Sequence, residues 1–97
     1  MPLYALICTD KPNSLDLRMS TRPAHLDYLN GLGSRMKTAG PFTDDAGQPN
    51  GSLVIIEAAD RAEAKAMAEA DPYAKAGLFA SVEIRAWKWA IKNPEAQ

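Results

Sequence analysis

The chain alternates between strand and helix periodicity in one particular order, and that order limits the folds open to it. "LYALICT" (Leu3 to Thr9) is a nearly continuous run of β-formers, the pattern of a central strand covered on both faces. "SLVIIEA" (Ser52 to Ala58) is a second such run. "SVEIRAWKW" (Ser81 to Trp89) alternates with a period of two and reads as the last strand. After the first strand, Pro12 and Asn13 break the run, and "SLDLRMS" has room for one or two helical turns. Ser20 or Thr21 is then placed to cap a longer helix with Pro23 in its first turn. Leu29, Leu32 and Met36 fall at i, i+3 and i+7, with Leu26 alongside, which predicts an amphipathic helix ended by Gly40 and Pro41. "PFTDDAGQPNGS" predicts a short strand running into a hairpin loop. Asp60 and Glu63 form a capping box for the Ala-rich helix "RAEAKAMAEA", which must stop before Pro72. The order is strand, helix, strand, strand, helix, strand. That is the split βαβ pattern of a ferredoxin-like α+β fold, an antiparallel sheet with both helices on one face. No repeat or linker interrupts residues 1–97, so a single domain is expected, with a frayed tail at 91–97.

A domain of 97 residues buries roughly 60–65% of its unfolded surface, enough for one modest core. A pocket then forms most naturally between two copies, so a homodimer, or a higher homo-oligomer, is expected. Net charge is −1 and no basic stripe is present, so nucleic acid is not an expected partner. No apolar run approaches the roughly 18 residues of a membrane helix, and "MPLYALICTDKP" lacks the features of a signal peptide. With Cys8 the only cysteine, no internal disulfide can form. These features point to the cytoplasm.

With the helices on one face, the other sheet face meets solvent or a partner. In the last strand Val82, Ile84 and Ala86 suit the helix side, while Glu83, Arg85, Trp87 and Trp89 form the outer row. Two tryptophans and an arginine are too apolar for water and too polar for a sealed core. They fit interface packing around a paired charge, or a pocket walled by Trp87 in which Arg85 holds an anionic or carbonyl oxygen.

One His and one Cys cannot make a usual zinc site, and no glycine pattern cradles a phosphate, so neither a metal nor an organic cofactor is expected. Cys8, among apolar neighbours in a strand, reads as a buried thiol rather than a nucleophile. Proton transfer remains. His25 is the only histidine, and imidazole titrates near neutral pH, which makes it the natural general acid or base. Asp27 at i+2 faces elsewhere on a helix. Asp71, at the end of the second helix, is the better orienting partner. A boundary histidine and a helix-ending aspartate are the plain alternatives.

The pieces "RPAHLDYL", "AGPF", "GSLVIIEA", "DPYAKAGLF" and "EIRAW", in this order, make the chain resemble the YciI-like (YCII-related) family of small dimeric α+β proteins. The resemblance spans nearly the whole domain. It implies a ferredoxin-like protomer whose open sheet faces pair into a dimeric α/β barrel. It also implies a His–Asp pair that falls on His25 and Asp71, and it places the family's Gly-Ser on Gly51 and Ser52. Relatives of this architecture isomerise, dehydrochlorinate or oxidise small ring compounds without a cofactor. Two functions therefore stand. One is a cofactor-independent lyase or isomerase acting on a small cyclic or carbonyl-bearing molecule, with His25 and Asp71 catalytic and Arg85, Trp87 and Ser52 binding substrate. The other is a non-catalytic dimeric module that binds a small ligand or assists another enzyme.

Overall fold

The computed structural model describes residues 1–96. Four strands, β1 (Leu3–Asp10), β2 (Met36–Thr43), β3 (Pro49–Glu57) and β4 (Phe79–Trp87), form one sheet in the order β2-β3-β1-β4 with every neighbour antiparallel. Helix α1 (Leu15–Gly31) connects β1 to β2. Helices α2 (Arg61–Ala70) and α3 (Pro72–Lys75) connect β3 to β4. This is the ferredoxin-like βαββαβ arrangement.

Strand alternation assigns the two faces. Tyr4, Leu6 and Cys8 of β1 join Val54 and Ile56 of β3 in a single core with Leu29 of α1 and Ala64, Met67 and Ala68 of α2. Both long helices therefore cover one face. Leu3, Ala5 and Ile7 point the other way, in register with Trp87, Arg85 and Glu83 of β4. The expected split of the last strand is thus observed, although β4 begins at Phe79 and ends at Trp87, leaving Trp89 beyond it against the Trp87 ring at 5.7 Å.

Two helix boundaries differ from expectation. α1 does not begin at Ser20 or Thr21. It starts at Leu15, after Ser14, and runs through Pro23. An interior proline removes a backbone hydrogen bond and costs about 3 kcal/mol. The helix is held on both sides of it, by buried Arg18 before and by buried His25 and Leu29 after. At its other end α1 stops at Gly31, not at Gly40. Gly33 takes a left-handed backbone (φ +61°), a 3₁₀ turn follows at Gly33–Arg35, and the chain enters β2 at Met36. Leu32 and Met36 still pack on the core, but from a turn and a strand. Three apolar residues with helical spacing reach one core by three local geometries, and tertiary packing alone distinguishes them.

The second helical unit matches its signals. Asp60 accepts a hydrogen bond from the Glu63 N–H at 2.8 Å, and the Glu63 carboxylate accepts one from Ala59 N–H at 2.9 Å. After β4 the chain folds back across the end of the sheet, and Glu95 reaches Lys37 of β2 at 3.0 Å.

Candidate active site

His25 comes from the middle of α1, and Asp71 from the junction between α2 and α3. Pro72 forces that junction, because the residue before a proline is driven out of helical geometry. Asp71 is accordingly extended (φ −62°, ψ 130°), and its carboxylate caps α3 by accepting from Tyr73 N–H at 2.9 Å. The same carboxylate lies 2.9 Å from His25 Nδ1 through each of its oxygens. Both side chains are buried. A carboxylate can only accept, so Nδ1 carries the proton of the neutral ring and Nε2 is left with its lone pair.

Tyr73, one residue past Pro72, is 1% exposed and stacks on the His25 ring, with centroids 4.0 Å apart and planes at 18°. The Phe79 ring meets Tyr73 edge-on at 6.0 Å. Above the Tyr73 ring, 4.5 Å from its centroid, sits the guanidinium of Arg18. Arg18 is itself buried, gripped by the two Asp10 oxygens at 2.6 and 2.9 Å, and donates to Ser52 Oγ at 2.8 Å. Burial works against the Arg18 charge, but the paired Asp10 carboxylate outweighs it and the pKa rises further. Burial raises the Tyr73 phenol, with Arg18 and Arg22 partly opposing it.

His25, Tyr73, Arg18 and Ser52 line one cavity of about 410 Å³ on the helix side of the sheet. Arg18, Arg22, His25 and Leu29 line it from one face of α1, which their spacing of four, three and four residues requires. Ser52, Leu53 and Val54 of β3 and Ala39 to Pro41 of β2 form the opposite wall. Asp10 neutralises Arg18. Arg22 lines the cavity from an exposed position and has no carboxylate partner among the described residues. A size of several hundred Å³ with mostly apolar walls and a few polar groups is usual for a small-molecule site. No cluster of acidic, His and Cys side chains suited to a metal ion occurs among the described residues.

A family profile, the YCII-related domain, matches residues 2–88. The chain belongs to the YCII-related family. This YCII-related chain is 40% identical over 94 residues to Protein YciI of Escherichia coli O6:H1, covering 89% of this chain and 96% of that one. It is 36% identical over 93 residues to a protein of Haemophilus influenzae, covering 88% and 95%. Among solved structures it resembles 5-chloro-2-hydroxyhydroquinone dehydrochlorinase (TftG) of Burkholderia phenoliruptrix in complex with 2,5-dihydroxybenzoquinone. That likeness has a TM-score of 0.83 at 34% identity and covers 94% of this chain and 98% of the other. An antibiotic biosynthesis monooxygenase shares the fold at 13% identity and TM-score 0.55.

Of the residues singled out in this YCII-related sequence, His25 and Ser52 line the cavity, and Asp71 holds His25 from behind it. Arg85 and Trp87 do neither. They lie on the opposite sheet face, in register with Ala5 and Leu3, and Arg85 faces Glu83 at 4.0 Å. Sequence reasoning passed over Asp10, Arg18, Arg22 and Tyr73. The i, i+4, i+7 spacing of Arg18, Arg22 and His25 is visible in the sequence, but a helix begun at Ser20 hides it.

Cys8 sits beside this region on β1, opposite Ser52. Burial, reinforced by the Asp71 charge, pushes its thiol up to about 12. Only the thiolate alkylates, and an unfolded cysteine ionises near pH 8.5. At pH 8 the native protein should therefore react with iodoacetamide far more slowly than the urea-unfolded chain. Equal rates, followed by mass spectrometry, would contradict that burial.

Proposed function

We propose that this chain is a cofactor-independent enzyme of the lyase or isomerase type that moves a proton on a small ring or carbonyl-bearing molecule. One observation carries the reading. A buried carboxylate holds His25 through Nδ1 at the wall of a cavity, which frees Nε2 as the base. His25 takes a proton from the substrate, Asp71 fixes the ring and stabilises its protonated form, and Tyr73 keeps the imidazole plane in place. Arg22, which lines the cavity without an ion-pair partner, suits a substrate that is anionic or becomes so. The likeness to TftG supports a small-molecule reaction of this kind, since loss of a proton and chloride together needs no oxidant or reductant.

Ser52 binds substrate in this reading, whereas Arg85 and Trp87 belong to the open face. That face exposes Phe42 and Trp87, and we assign it to pairing with a second copy of the chain, the arrangement of a dimeric α/β barrel.

The test is a wild-type assay with two readouts. One is chloride release from 5-chloro-2-hydroxyhydroquinone. The other is uptake of solvent deuterium into the C–H bonds of small cyclic ketones. Activity in either supports the reading, and silence in both removes it.

A further inference from the structure

The hydrogen-bonding capacity around Ser52 does not close within the protein. Ser52 is 3% exposed and lines the cavity. Its Oγ accepts from Arg18 Nη2 at 2.8 Å. A guanidinium has no acceptor site, so Ser52 cannot return a hydrogen bond to it. No acceptor among the described residues takes the Ser52 proton. A hydroxyl held by a cation has a polarised O–H and is a stronger donor than a free serine. Arg18 is in turn locked by its two-point grip on Asp10. The position of Ser52 is equally constrained. A Cβ on Gly51 would lie 2.5 Å from the Cys8 carbonyl oxygen, so only glycine lets β3 sit this close to β1 at that point. The next residue is thereby set in register with Cys8, on the helix side of the sheet.

From this we infer that Ser52, aligned by the Asp10–Arg18 pair, is the donor that holds a substrate oxygen and stabilises the negative charge that oxygen gains during reaction. The inference rests on the proton-transfer reading above and specifies its substrate class. The molecule carries a carbonyl or phenolic oxygen at Ser52 and a removable hydrogen toward His25. In the carbonyl case His25 Nε2 takes the proton from the carbon beside the carbonyl. The C–H pair becomes the new C=C bond and the carbonyl π pair moves onto oxygen, giving an enolate that Ser52 holds. Where the carbonyl is β,γ-unsaturated the product is a dienolate, which regains the proton from His25 at the γ carbon. Where the β carbon carries a leaving group, the enolate re-forms the carbonyl, the enol C=C pair makes the new double bond, and that group departs with its bonding pair. Arg18 is a positioning residue here, and it acts through Ser52.

The test reads binding rather than turnover. 4-Nitrophenol absorbs differently as phenol and as phenolate. At a pH below its own pKa, the wild-type protein should bind it as the yellow phenolate. Ser52→Ala should weaken phenolate binding by about tenfold to a hundredfold, the range for one hydrogen bond to a charged group. Ser52→Thr, which keeps both the acceptor for Arg18 and the O–H, should retain the affinity within a few-fold. Circular dichroism checks that each variant is folded. No phenolate binding by wild type overturns the inference, as does unchanged affinity in folded Ser52→Ala or equal loss in both variants. A protein that bound phenolate through Ser52 yet turned over no substrate would refute the catalytic reading and leave this site standing.

Discussion

Replacing His25 by alanine is expected to lower kcat/KM by about 10²–10⁴ while the protein stays folded. The size of the effect follows from the chemistry assigned to the ring. No other side chain at the cavity wall offers an imidazole nitrogen whose lone pair its partner leaves free. Arg18 and Arg22 cannot accept a proton, and the Tyr73 phenol is raised by burial. The fold should survive, because Asp71 keeps its bond from Tyr73 N–H and its role as cap of α3. Enlarging a cavity that is already open leaves the main core of β1, β3, α1 and α2 untouched. The measurement is the chloride-release or deuterium-uptake rate of His25→Ala against wild type, with a thermal melt of each. An unchanged rate in a folded variant would remove His25 from the mechanism.

The largest stability effect is expected from Arg18→Ala, with a loss of about 3–5 kcal/mol in unfolding free energy. The side chains of Arg18 and Asp10 are 4% and 5% exposed. Removing the guanidinium leaves the Asp10 carboxylate buried without its counter-charge, orphans the Ser52 acceptor, and strips the cation from above the Tyr73 ring. Removing both charges together costs less than removing one, because most of the penalty is the stranded ion. Urea unfolding of Arg18→Ala, Asp10→Ala and the double variant measures this. If the single Arg18 variant lost under about 1 kcal/mol, the pair would be solvated in solution and the buried network described above would be wrong.

The α2 unit was legible in the sequence because its signals are local. Asp60 and Glu63 find their partners within three or four residues, and Pro72 acts on its immediate neighbour. α1 was less legible for the opposite reason. Nothing local tells Pro23 in a first turn from Pro23 in mid-helix. The choice is made by contacts beyond the helix itself, from Arg18 to Asp10 of β1, eight residues away, and from His25 to Asp71, 46 residues away. The misplaced start hid Arg18, and with it the route from Asp10 to Ser52. Arg85 and Trp87 show a related limit. Alternation placed them together in one row, but it could not say on which side of the sheet a cavity opens.

The order of periodicities was enough to determine the fold class, and the single histidine and the turn at Pro72 offered His25 and Asp71 as a candidate pair, which the family resemblance then favoured. Only the tertiary structure decided that these two touch, that the cavity lies beneath the helices, and that Arg18, Ser52 and Tyr73 complete it. Periodicity and capping are properties of a few consecutive residues, and they can be read along the chain. A buried ion pair or a stacked ring exists only once helix and sheet have docked, since desolvation makes its geometry matter.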